Sequence, residues 1–82
     1  MRIRVLLFAI LRDAAAGAGE LTLELPDGST ALSAGVALAD RHPALKRYLP
    51  RIAYAVNRSY VPPHTELHDG DELALIPPVS GG

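Results

Sequence analysis

Ile3, Val5 and Leu7 fall on one face of an alternating stretch, with Arg2 and Arg4 on the other. The alternation predicts a strand over residues 2–10 with the Ile3 face inward, which leaves Leu6 and Phe8 on the nominally wet face. Residues 11–19 are alanine-rich and end in Gly17-Ala18-Gly19, a composition that suits a helical turn and a loop. Leu21, Leu23 and Leu25 restore the alternation and predict a second strand over 20–25, closed by the turn residues Pro26-Asp27-Gly28. The period then changes. Ser29 or Thr30 can cap a helix over about 31–42. Leu32, Gly35, Val36 and Ala39 lie on one side of it, with Leu38 flanking, and Ser33, Asp40 and Arg41 lie on the other. Gly35 costs that helix about 0.8–1 kcal/mol relative to alanine, and suits a close approach to a sheet. Pro43 is expected to end it, because the residue before a proline is pushed out of the helical region.

The second half reads as a short turn over 44–49, a strand over 52–57, a tight turn at Asn57-Arg58 and a short strand over 59–61. Pro62-Pro63 breaks pairing, a loop spans 66–71, and the last strand covers 72–76 with Leu73 and Leu75 inward and Ile76 outward. One amphipathic helix against one face of a mixed sheet is an α+β arrangement. With the first and last strands parallel neighbours at the centre, the topology is the ubiquitin-like β-grasp. The expected organisation is a β-grasp domain over 1–76 and an extended tail over 77–82.

Composition narrows the function. A chain of 82 residues makes one small domain that buries only about 60–65% of its unfolded surface. Hydrophobic residues make up 49%, enough for a core. The absence of cysteine excludes a disulfide framework, a thiolate metal site and a cysteine nucleophile. A net charge of −1 with no basic stripe and few aromatics leaves nucleic-acid binding unsupported. No apolar run approaches the roughly 20 residues needed to cross a bilayer, so membrane residence is unsupported and a cytoplasmic protein is expected.

Candidate catalysts are few. His64 and His68 lie in a proline-containing loop without helical ligand spacing, and His42 stands alone. Asp69, Asp71 and Glu72 lack the glycine placement and closing glutamate of a calcium loop and read as turn residues, of which Asp71 and Glu72 can also offer negative charge to a basic partner. Gly17-Ala18-Gly19 is followed by no phosphate-binding helix. No metal site is predicted. The outward apolar residues Phe8, Tyr60 and Ile76, with Leu6 beside them, instead mark a partner surface.

Beside that surface the chain ends Pro77-Pro78-Val79-Ser80-Gly81-Gly82. The prolines stiffen the base of this tail and the glycines thin its tip, so it suits insertion into a narrow channel.

Leu7-Phe8-Ala9-Ile10-Leu11-Arg12-Asp13, Ala55-Val56-Asn57-Arg58-Ser59-Tyr60-Val61, Asp69-Gly70-Asp71-Glu72 and the Gly-Gly end together make the chain resemble the small subunit of molybdopterin synthase, a ubiquitin-like sulfur carrier. The resemblance implies that an activating enzyme uses ATP and magnesium to adenylate Gly82, and that a sulfur donor converts the adenylate to a thiocarboxylate. Pro78, Val79, Ser80 and Gly81 would thread the tail into the large synthase subunit, within a heterotetramer. Phe8, Tyr60 and Ile76 would fall at apolar positions of that interface. The sulfur would pass to cyclic pyranopterin monophosphate, with the catalytic groups on the large subunit. This chain would bind no cofactor of its own. The competing readings are a carrier for thiamine or tRNA thiolation, a ubiquitin-like modifier joined to lysines, and an interaction module with an inert tail.

Overall fold

The computed structural model describes residues 1–78, so the expectations for Val79, Ser80, Gly81 and Gly82 lie outside the described residues. Strands β1 (Arg2–Leu7), β2 (Glu20–Glu24), β3 (Ala53–Val56), β4 (Ser59–Val61) and β5 (Glu72–Ile76) form one sheet in the order β2-β1-β5-β3-β4. The first and last strands are parallel neighbours, with Val5 opposite Leu73 and Leu7 opposite Leu75; the remaining pairings are antiparallel. Helices α1 (Ala9–Ala14) and α2 (Ala31–Arg41) and a 3-10 helix over Pro43–Arg51 complete the β-grasp.

The inward strand faces match the alternation. Ile3, Val5, Leu7, Leu23, Leu73 and Leu75 are buried, with Tyr54, Leu11, Leu45 and Leu67 closing the core, and no charged side chain is buried among the described residues. Three features differ from expectation. The first strand stops at Leu7 instead of residue 10, because Ala9 takes a left-handed φ of 48° and turns the chain into α1. That conformation costs an alanine about 1–2 kcal/mol. Pro43 does end α2, but it also opens a nine-residue 3-10 helix where only a short turn over 44–49 is expected. Proline at the first helical position loses no bond, since that N–H has no partner in the helix.

The third difference is the face of α2. Thr30 caps the helix, and its hydroxyl and that of Ser33 each accept from the other's backbone N–H. The next orphan donors, on Ala31 and Leu32, reach the carbonyls of Thr65 and Pro63. The buried residues are Ala31, Ala34, Gly35, Leu38 and Ala39, whereas Leu32 and Val36 stand 43% and 45% exposed. Hydrophobicity alone selects the larger side chains; fit selects the smaller ones. A Cβ built on Gly35 would lie 2.9 Å from the Tyr54 hydroxyl and 3.2 Å from Leu49 Cδ2. The Tyr54 ring therefore occupies the space that a larger helix face would need.

The Tyr54 hydroxyl is buried without a hydrogen-bond partner among the described residues, and burial pushes its pKa up from the ordinary tyrosine value. Gly35→Ala is expected to destabilise the wild type by about 1 kcal/mol, overpacking outweighing the gain in helix propensity. In a Tyr54→Phe background the same change should become neutral or stabilising, a coupling of about 1–2 kcal/mol measurable by denaturant unfolding of the four-member cycle. Tyr54→Phe alone should stabilise by about 1 kcal/mol, since it deletes an unsatisfied buried polar atom. Above about pH 10 the unfolded wild type releases this proton while the folded state holds it, so wild-type stability falls as pH rises and the advantage of Tyr54→Phe widens.

Candidate functional site

The sheet face away from the helices is divided along its strands. Toward the start of β1 it is charged: Arg2 donates to Glu24 at 2.8 Å, Arg4 donates to Glu72 at 2.9 Å, and Glu20 lies 3.8 Å from Arg4. The Arg2 hydrogen bond holds the exposed Glu24 carboxyl below its usual range. Toward the end of β1 the face is apolar. Leu6, Ala74, Ala55 and Tyr60 are successive register partners across β1, β5, β3 and β4, so they emerge on one side. The middle two are alanines, and larger side chains surround them. The result is a depression of about 360 Å³ lined by Leu6, Phe8, Ala55, Arg58, Tyr60, Glu72, Ala74 and Ile76.

Local structure positions each wall. Phe8 is not a strand residue as expected but the extended residue that begins α1, 47% exposed. The reversal at Ala9 keeps it at the mouth of the depression. Tyr60 follows a two-residue hairpin turn in which Asn57 and Arg58 both have positive φ, the backbone that suits such a connection. Asn57 is held in place by donating to Asp71 at 3.0 Å and accepting from the Glu72 N–H at 3.0 Å. Asp71 also accepts from the His68 N–H at 2.8 Å. Its carboxylate thus ties the β3–β4 turn to the start of β5 and is not free for a basic partner, and Glu72 is engaged by Arg4.

Phe8, Tyr60 and Ile76 are therefore brought together, and Leu6 joins them. Sequence reasoning missed the floor, Ala55 and Ala74, and Arg58 at its edge, whereas Glu72, expected to offer charge to a partner, also lines it. The strand parity of Ala74 between Leu73 and Leu75 was the available signal. The last strand residue, Ile76, lines the depression and leads directly into Pro77 and exposed Pro78. The root of the tail and the apolar depression thus share one strand.

A larger hollow of about 700 Å³ lies at the opposite end, lined by Met1, Arg2, Glu24, Leu25, Pro26 and Asp69. Its polar groups are engaged internally: the terminal amine donates to the Leu25 carbonyl, and Asp69 accepts the Arg2 N–H. His68 lies 3.8 Å from Glu66 and 3.9 Å from Asp71, while His42 and His64 make no such pairing among the described residues. Among the described residues, no group of three potential metal ligands converges and no helix is long and apolar enough to cross a membrane.

The ThiS family matches residues 5–82. The chain is 43% identical to the molybdopterin synthase sulfur carrier subunit of Chlamydomonas reinhardtii, with all of both chains covered. Among solved structures it resembles small archaeal modifier protein 1 of Haloferax volcanii, with a TM-score of 0.84, 30% identity and coverage of 95% of this chain and 98% of that one. It also resembles a chain of the complex of subunits 1 and 2 of the molybdopterin-converting factor from Helicobacter pylori, with a TM-score of 0.69, 28% identity and complete coverage of both chains.

Proposed function

We infer the function of a chain that belongs to the ThiS family: it is the sulfur carrier subunit of a molybdopterin synthase. The observation that carries this reading beyond family membership is the continuity of the apolar depression with β5, whose end becomes the tail. A partner seated on the depression lies beside Ile76, from which the chain continues into Pro77 and Pro78.

The chemistry then follows from the carboxylate. An ionised carboxylate is a poor acyl donor. Adenylation of Gly82 by an activating enzyme, with ATP and magnesium, forms a mixed anhydride and releases pyrophosphate. A sulfur nucleophile attacks the carbonyl, AMP departs, and a terminal thiocarboxylate remains. The large subunit takes the charged tail and passes its sulfur to cyclic pyranopterin monophosphate in the cytoplasm. The catalytic groups belong to the partners. This chain contributes the reacting terminus, a thin approach through Gly81 and Ser80, and the face that fixes its direction.

Incubation with the activating enzyme, ATP, magnesium and a sulfur donor is expected to raise the intact mass by about 16 Da, as sulfur replaces one terminal oxygen. An unchanged mass under conditions that charge a known carrier would sink the reading. A second reading, attachment of Gly82 to protein amines, is favoured by the similarity to a protein named as a modifier. A ladder of higher-mass conjugates on denaturing gels, lost on deleting Gly82, would support it.

A further inference from the structure

Two of the residues lining the outer depression are charged, Glu72 and Arg58. They are placed very differently. The Glu72 carboxylate accepts from Arg4 at 2.9 Å, and its side chain is only 16% exposed. Arg58 is exposed, and its guanidinium makes no ion pair among the described residues. On the charged half of the same sheet face, Arg2 and Arg4 are engaged by Glu24 and Glu72. The unneutralised charge at the rim of the depression is therefore positive.

The backbone beneath that charge is strained. Val56 pairs with Ser59, so Asn57 and Arg58 are the two central residues of the hairpin turn, with φ of 49° and 72°. A turn with positive φ at both positions favours asparagine followed by glycine. Asparagine stands at the first position and fits. Arginine stands at the second, where its Cβ crowds the neighbouring carbonyl and a glycine has nothing to crowd. Strain of this kind concentrates where a side chain is used. The free domain offers the guanidinium no ion pair in return, so the use lies outside the domain. The turn is also fixed in place. Asn57 donates to Asp71 at 3.0 Å and accepts the Glu72 N–H at 3.0 Å. This tether holds the base of the Arg58 side chain at the rim, so docking has little backbone freedom left to remove.

We propose that Arg58 is a specificity-determining residue of this face: its guanidinium pairs with a carboxylate that the large synthase subunit places beside the depression. The inference rests on the carrier reading, which supplies that partner. The hollow and the arginine then have separate roles. A hollow floored by Ala55 and Ala74 takes any apolar side chain that fits, and so discriminates poorly. A guanidinium selects an anion, and its planar fork matches a carboxylate through two parallel N–H donors. A charge at the rim of an interface acts mainly on the rate of association and on the rejection of partners with like charge. Arg58 therefore sets which apolar partner is taken and in which orientation.

The test measures association and dissociation rates of the full chain with the large subunit at low and high salt, together with thermal melting of each free variant. Arg58→Gly should move the two readouts in opposite directions. Its melting temperature should rise by about 2–5 °C, the relief of strain exceeding the added freedom of the unfolded chain. Its affinity at low salt should fall by about three- to tenfold, mostly through slower association, and the deficit should shrink at high salt. Arg58→Glu should lose a further factor of about ten, and one Asp→Lys or Glu→Lys change on the large subunit should restore it. Arg58→Glu binding within about twofold of wild type would overturn the proposal. So would a loss that does not respond to salt, or the failure of every charge swap to restore binding. A lower melting temperature for Arg58→Gly would overturn it as well, since the arginine would then serve the fold. No binding of the wild type to the large subunit would instead overturn the carrier reading beneath it.

Discussion

Ala74→Arg is expected to weaken binding to the large synthase subunit by about 100-fold or more, equivalent to about 2.7 kcal/mol, while leaving the domain folded. Ala74 forms the floor of the outer depression, with Leu6 beside it on β1 and Ala55 beside it on β3. An arginine there fills the hollow that an apolar partner side chain would enter. It also places a charge where docking would strip away water. The fold should tolerate it because the site faces away from the core, and the long side chain can lie along Leu6 or Ile76 with its guanidinium in water. Calorimetric titration against the large subunit, paired with thermal melting of the free variant, separates the effects. Affinity within about threefold of wild type would show that the partner docks elsewhere. A collapsed melting temperature would place Ala74 in the core instead.

Leu73→Ala, one residue earlier on the same strand, should have the opposite profile. Leu73 is fully buried, facing the helices between Val5 of β1 and Val56 of β3. Truncation leaves a cavity in a close-packed interior and is expected to cost about 3–4 kcal/mol. A domain of this size has only about 4–12 kcal/mol in total. The melting temperature should fall by roughly 12–25 °C, by the usual scaling for small domains. The altered midpoint should appear in urea unfolding with an unchanged slope. Carrier function at low temperature should survive, because neither the depression nor the tail is touched. A loss below about 1 kcal/mol would mean that the surrounding side chains collapse into the space. These adjacent residues illustrate how period-two geometry lets one strand serve the core on one side and a partner on the other.

The sequence made the sheet legible because alternation reports directly on burial. Ile3, Val5 and Leu7, and again Leu73 and Leu75, left little freedom in register, since a one-residue slip would expose the whole set. The helix was less legible. Leu32 and Val36 carry a strong apolar signal yet face outward, because the Tyr54 ring reserves the space above the sheet for alanines and glycine. That constraint comes from a residue nineteen positions after Gly35 and leaves no trace in local periodicity. The interface divides similarly. Phe8, Tyr60 and Ile76 announce themselves as outward apolar side chains. Ala55 and Ala74 do not, because a small residue becomes informative only when its larger neighbours are known. The turn at Asn57-Arg58 was readable, but its tether to Asp71 depends on a contact across fourteen positions.

The tail grows out of β5, which has hydrogen-bonded neighbours on both sides. A partner that grips the tail and draws it along the strand direction therefore loads two ladders in shear. Interstrand bonds run across the strand, so those of both ladders must yield together instead of opening one by one from an edge. The domain is consequently a mechanical anchor for its own terminus: a pull strong enough to seat the last residues deep in a cleft is borne by the stiffest part of the sheet.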